Sequence, residues 1–165
     1  MKEQEVKLRF DTHEAARQAV IAAGGRLVGC ERPQDDHYLD TPHGQLGHDR
    51  CTLRIRRDAG INTITYKGPG EPGPVKSREE IETTVADADV AEALFAKLGY
   101  TEEFRLLKHR EDYVVGDVRV FIDRTPVGVF IEIEGTPETI AATTRAFGRT
   151  PAEYILDSYR SLYTR

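Results

Sequence analysis

Charged residues recur at every second position within short apolar stretches of this chain. Glu3, Glu5 and Lys7 interleave with Val6 and Leu8, Arg54 and Arg56 with Leu53 and Ile55, and Glu132 and Glu134 with Ile131 and Ile133. Lys67 falls in step with Thr63 and Thr65, Arg78 with Glu80 and Glu82, Lys108 with Arg110, and Asp123 closes a further run. Seven of these residues are basic and seven are acidic. Carboxylate oxygens hold hard divalent cations such as Mg²⁺ or Mn²⁺, while arginine and lysine hold phosphate oxygens. Together the two sets suit a polyanion chelated to a divalent metal. A half-exposed antiparallel sheet gives the same alternation on any one strand. Several strands with two or three charges in step, and few Ser, Thr or Asn among them, point beyond a solvated face.

Such residues need strands to present them. Side chains alternate faces along a strand, so positions i, i+2 and i+4 share a side. Period-two patterning predicts strands over Glu3–Phe10, His37–Leu39, Thr52–Arg57, Thr63–Lys67, Ser77–Val85, Arg105–Val115, Val118–Asp123 and Val129–Glu134. Four helices are predicted. The first runs from Asp11 through Ala23, with Asp11 and Glu14 at capping-box spacing, and the second from Val90 to Leu98, capped by Asp87 or Asp89. The third starts at Thr136-Pro137, and the fourth at Thr150-Pro151, continuing through Tyr154, Ile155, Leu156 and Tyr159. Strands that follow one another through short turns pair antiparallel, so the class is α+β. If the sheet curls with its charged face inward, it becomes a barrel with a polar lumen and helices outside. Gly68–Pro74, with three glycines and three prolines, is a turn or loop and lacks the Lys-Ser/Thr of a P-loop.

The length of 165 residues fits a single domain, 1–165. A net charge of −5 argues against a general nucleic-acid or membrane-surface binder. Cys30 and Cys51 lack CxxC spacing, which argues against a disulfide framework or a structural zinc site. The charged N-terminus has no apolar signal core, no apolar run is long enough to span a bilayer, and the expected location is the cytoplasm.

Glu3-Gln4-Glu5-Val6-Lys7 is an ExExK motif, and further segments follow it in order: Tyr38–Pro42, Leu53–Arg57, Thr65–Pro69, Lys76–Glu82, Lys108–Glu111, Gly128–Gly135 and the closing Ser158-Tyr159. This ordered set resembles the CYTH superfamily, also called triphosphate tunnel metalloenzymes, and within it the prokaryotic class IV adenylyl cyclase branch. The resemblance implies a closed eight-stranded antiparallel β-barrel, a tunnel and a Mg²⁺ or Mn²⁺ cofactor. Position by position, it implies Glu3, Glu5, Glu132 and Glu134 as metal ligands, with Asp123 joining them or acting through water. It implies that Lys7, Arg54, Arg56, Lys67, Lys108 and Arg110 bind the triphosphate, and it places Arg78, Glu80 and Glu82 on the lining in looser correspondence. Glu3, Glu5, Lys7 and Asp123 are the candidate catalytic groups.

The implied substrates are ATP, inorganic triphosphate or thiamine triphosphate. Conversion of ATP to cyclic AMP and pyrophosphate ranks first on overall similarity. Hydrolysis by a triphosphatase is the alternative, and a non-catalytic polyphosphate- or nucleotide-binding module is a third reading. No general base is identifiable, and a homodimer remains open. The five histidines form no HxH or HExxH cluster, so a histidine metal site is not expected. Tyr154, Tyr159 and Tyr163 read as core or dimer contacts rather than catalysts. Arg119, in step with Asp123, is expected to line the tunnel or pair with that acid.

Overall fold

The computed structural model describes residues 2–164. Among them, eight strands close into an antiparallel barrel in the order β1-β5-β4-β3-β2-β6-β7-β8. They are β1 (Lys2–Phe10), β2 (Arg26–Asp40), β3 (Thr52–Asp58), β4 (Ile61–Lys67), β5 (Lys76–Val85), β6 (Thr101–Val115), β7 (Val118–Thr125) and β8 (Gly128–Glu134). All eight expected strands are present. β2 is far longer than the expected His37–Leu39, because its first half leaves both Leu27 and Val28 exposed and so shows no two-residue alternation.

The helices are α1 (His13–Ala22), α2 (Gln45–His48), α3 (Ala88–Lys97), α4 (Pro137–Ala146) and α5 (Tyr159–Tyr163). Thr12, not Asp11, caps α1: its hydroxyl accepts from the Ala15 N–H at 3.1 Å. Asp87 caps α3 and Thr136 caps α4, with Pro137 in its first turn. The expected fourth helix does not form as one piece. Glu153 closes the predicted box on Thr150, but only a 3₁₀ turn, Pro151–Glu153, results. The Ile155 backbone instead exchanges hydrogen bonds with Lys7 at 3.1 and 2.9 Å. Helix resumes at Tyr159 behind a Ser158 cap. Pairing with β1 satisfies the backbone groups that a continuous helix would have used.

The chain divides into two compact units. One comprises Pro33–Glu71 and Arg78–Leu107. Here Leu39, Leu53 and Ile55 pack on Ala88 of α3, supported by Leu46, Ala91 and Phe95. The β3–β4 hairpin turns through Ala59 and Gly60, both at positive φ, between the paired Asp58 and Ile61. The buried Asp40 carboxylate accepts from the backbone N–H groups of Thr41, Leu46 and Gly47 and so fixes the short α2 turn.

The other unit holds Glu3–Arg32, Pro72–Ser77 and the chain from Lys108. Val6, Leu8, Val120, Ile122, Ile131 and Ile133 form one face of its strands, against Ala16 and Val20 of α1 and Ile140 of α4. Full burial of each such aliphatic side chain contributes about 1.5–3 kcal/mol. The intervening residues Glu5, Lys7, Arg110, Asp123 and Glu132 are buried as well. The apolar face is taken by the helices, so the charged face is the inner one.

Candidate active site

In the unit that contains β1, β7 and β8, register places opposite charges face to face. Lys7 stands across from Glu132, and Arg110 from Asp123. The Lys7 ammonium lies 3.0 Å from Glu5 and 3.1 Å from Glu132. Burial opposes its charge, but Glu132 and Glu5 outweigh that cost and hold its pKa above the ordinary lysine value. Asp123 is fully buried, where desolvation would favour its neutral form; Arg110 and Lys108 overcome this and hold it below the usual carboxylate range. Arg110 Nε donates to Asp123 Oδ1 at 2.7 Å, while Arg110 Nη2, Lys108 Nζ and the Tyr159 hydroxyl all donate to Oδ2 within 2.7 Å. Arg110 Nη2 also reaches Glu132 at 2.9 Å.

Glu3, Glu5 and Glu134 each offer a carboxylate oxygen, all within 4.8 Å of one another. Glu5 and Glu134 are partners across β1 and β8. Burial, reinforced by Glu132, raises the Glu134 pKa despite the Arg119 guanidinium at 3.3 Å. Crowded carboxylates, one of them with a raised pKa, fit a hard divalent cation, whose charge would relieve their repulsion and whose preferred ligands are oxygens. Lys76 joins the group with Nζ 2.6 Å from Glu5. Arg119 does not pair with Asp123 as expected. It stands across from Glu134, largely exposed near the start of β7, while Asp123 lies in the buried run Val120–Asp123.

The unit containing β3, β4 and α3 carries a second set. Arg54 faces Thr65, and Thr65 faces Glu82, in one cross-strand row. Arg54 Nη2 donates to the Thr65 hydroxyl at 3.0 Å, which donates onward to Glu82 at 2.7 Å. Lys67 and Glu80 pair directly at 2.8 Å. Arg56 is held by both oxygens of Asp36. Arg54 Nε and Arg78 Nε are buried with no hydrogen-bond partner among the described residues. Unpartnered guanidinium N–H groups inside a protein are costly and fit an anion with oxygen acceptors.

The residues singled out by spacing thus fall into two sets, in which Glu5, Lys7, Lys67, Lys108, Arg110, Asp123 and Glu132 are buried, most of the others are half-buried and Glu82 is exposed. Glu3, Glu5, Lys7, Lys108, Arg110, Asp123, Glu132 and Glu134 form one, and Arg54, Arg56, Lys67, Arg78, Glu80 and Glu82 belong to the other unit. Sequence reasoning missed Asp36, Thr65, Lys76 and Tyr159. Lys76 was within reach of the same rule, since it lies two residues before Arg78. Asp36 lay before the expected start of its strand. Tyr159 closes the ordered set of family-like segments but read as a core or dimer contact, because its partner Asp123, 36 residues away, leaves no local signature. A third group, His13, Glu31 and Glu111, also brings three ligand-type side chains together. Arg17 pairs with Glu111, and Arg124 with Glu31, so this set reads as an ion-pair network between α1 and strands β2, β6 and β7.

Among the described residues no helix is long and apolar enough to cross a membrane. Residues 1–153 match the CYTH domain family. A protein of Methanocaldococcus jannaschii named "Putative adenylate cyclase MJ0240" is 31% identical over 135 residues, covering 81% of this chain and 77% of that protein. The PH1012 protein of Pyrococcus horikoshii OT3 superposes with a TM-score of 0.83 at 26% identity, covering 97% of this chain and 98% of its own. HpAC1 of Hippeastrum, an adenylyl cyclase by name whose structure was described with a dominant triphosphatase activity, superposes with a TM-score of 0.76 at 19% identity, covering 98% and 95% of the two chains. The closed barrel, its charged inner strand faces and the match over nearly the whole chain have one meaning: this chain belongs to the CYTH domain family.

Proposed function

We propose that this protein is a divalent-metal-dependent enzyme acting on a triphosphate, with Mg²⁺ or Mn²⁺ held by Glu3, Glu5 and Glu134. One observation carries the reading. Three carboxylates converge within 4.8 Å, and the strand that supplies two of them presents Lys7 two residues later. A cation site beside fixed positive charge matches a metal-chelated polyphosphate and not a free metal or a free anion. Glu132 and Asp123, both engaged by cations, set the orientation of Lys7, Arg110 and Lys108. Arg54 and Arg78, with unpartnered Nε–H groups, and Arg56 and Lys67 are the phosphate contacts of their unit.

The bound cation would polarise phosphoryl oxygens and stabilise the leaving group. The protein's part is positioning and charge compensation, which dominate phosphoryl transfer. Adenylyl cyclase chemistry ranks first. The ribose 3′-oxygen of ATP bonds to the α-phosphorus, the bond to the bridging oxygen of the β-phosphate breaks, pyrophosphate leaves, and the hydroxyl proton passes to solvent. Hydrolysis of inorganic or thiamine triphosphate is the second reading, favoured by the activity described for HpAC1 on the same fold.

Product analysis tests both. The purified protein is incubated with ATP and separately with inorganic triphosphate, each with Mg²⁺ and with Mn²⁺, and the products are separated chromatographically. Cyclic AMP with pyrophosphate supports the cyclase, and orthophosphate supports the hydrolase. Binding without turnover of either substrate would sink the enzymatic reading.

A further inference from the structure

We propose that Tyr159 is a positioning residue of this site, its hydroxyl fixing Asp123 and its ring face carrying the ammonium groups of Lys7 and Lys108. The proposal rests on the metal–triphosphate reading above.

The C-terminal segment reaches β1 before it reaches Tyr159. Ile155 pairs with Lys7 through two backbone hydrogen bonds, and Ser158 then caps α5. These contacts deliver Tyr159 to a buried position, edge-to-face with Phe130 at a centroid distance of 5.4 Å. Its hydroxyl donates to Asp123 Oδ2 at 2.7 Å. Lys7 Nζ lies 5.1 Å from the ring centroid, and Lys108 Nζ 4.9 Å. One side chain therefore touches a buried acid and two buried bases.

Each contact has a distinct consequence. Asp123 Oδ2 accepts from Arg110, Lys108 and Tyr159. Two of those donors are on long side chains that must also serve the substrate. The phenol has only two side-chain torsions and is packed on Phe130, so it holds the carboxylate plane when Lys108 or Arg110 shifts toward phosphate. The ring acts differently: an aromatic face stabilises an ammonium through its quadrupole and adds no negative charge. A carboxylate in its place would cancel charge meant for the polyphosphate. Tyr159 supports the two lysines and leaves their net charge intact.

The two parts separate by mutation. Y159F keeps the ring and loses the hydroxyl; Y159L loses both. Steady-state kinetics on inorganic tripolyphosphate and on ATP with Mg²⁺, together with thermal unfolding, give the readout. Y159F is expected to lower kcat by about tenfold or more, the loss of a hydrogen bond to a charged group, with KM within about twofold of the wild type. Y159L is expected to raise KM by about tenfold besides, through loss of two desolvated cation–π contacts. A tyrosine with only a structural role would lower the melting temperature and kcat together in both variants and leave KM alone, which would overturn the proposal. Unchanged kcat in Y159F would overturn it too, and that variant preserves side-chain volume and decides the matter should Y159L fail to fold. A wild-type protein inactive on both substrates would overturn the site reading and this role together, an outcome distinct from an active wild type with indifferent variants.

Discussion

Asp36 grips Arg56 with both carboxylate oxygens, 2.6 Å to Nε and 2.8 Å to Nη2, and the two residues stand directly opposite each other on β2 and β3. Asp36 Oδ2 is 3.9 Å from Arg54, outside hydrogen-bond range, while Arg54 Nε is buried and unpartnered. Neighbouring arginines on one strand face are therefore unequal. Arg56 has its counter-charge in hand, and Arg54 has donor capacity left for an anion.

That inequality predicts a ranking. Arg54→Ala should weaken binding of tripolyphosphate by about tenfold or more and should affect monophosphate binding far less, since loss of a charge-assisted hydrogen bond costs about 1.5–3 kcal/mol. Calorimetric titration with both anions checks this. Equal losses for the two would place Arg54 outside the polyphosphate site.

The carboxylate triad predicts a metal dependence. Glu134→Gln should lower Mg²⁺ or Mn²⁺ affinity and abolish turnover at metal concentrations that saturate the wild type, with the melting temperature of the metal-free protein preserved or raised. Removing one of three crowded carboxylates relieves repulsion among neighbouring like charges. The double variant Glu132→Gln, Glu134→Gln should likewise lose metal-dependent turnover while staying folded. Normal activity in either would remove Glu134 from the metal set.

Asp123 predicts a stability effect of the opposite sign. Asp123→Ala leaves Lys108 and Arg110 buried beside an empty position and strips the Tyr159 hydroxyl of its acceptor. Loss of one partner from such a buried ionic cluster costs about 3–5 kcal/mol. Urea unfolding should show it, and a variant as stable as the wild type would mean that Asp123 is not the anchor of the cluster.

His13 predicts a pH dependence. Burial lowers its pKa, Glu111 opposes the shift, and Arg124 and Arg17 add to it; Glu31, paired with Arg124, also lies beside it. The unfolded chain thus binds the His13 proton more tightly than the folded one. His13 leaves the fold most stable above the unfolded value of about 6.5, and stability falls as pH drops through the lower folded value. The melting temperature should decline across that window, and His13→Gln should flatten the decline.

The sequence by itself determined the strands, the two faces of each and the residue types on the inner one. Period two is a local property: Glu3, Glu5 and Lys7 share a side whatever they pair with, and Ile131 and Ile133 must oppose Glu132 and Glu134. The family resemblance was legible for the same reason, since it rests on short motifs in fixed order. Register and long-range docking were not legible, because each joins residues whose separation carries no local signature. The pairing of Lys7 with Glu132, the gathering of Glu3 and Glu5 with Glu134, and the choice of Glu134 over Asp123 as the partner of Arg119 were settled only when β1, β7 and β8 aligned. The C-terminal segment shows the limit most clearly. Its capping box argued for a helix through Tyr159, and the box did form. Hydrogen bonds from Ile155 to Lys7 then outweighed local helix propensity and carried Tyr159 into contact with Asp123.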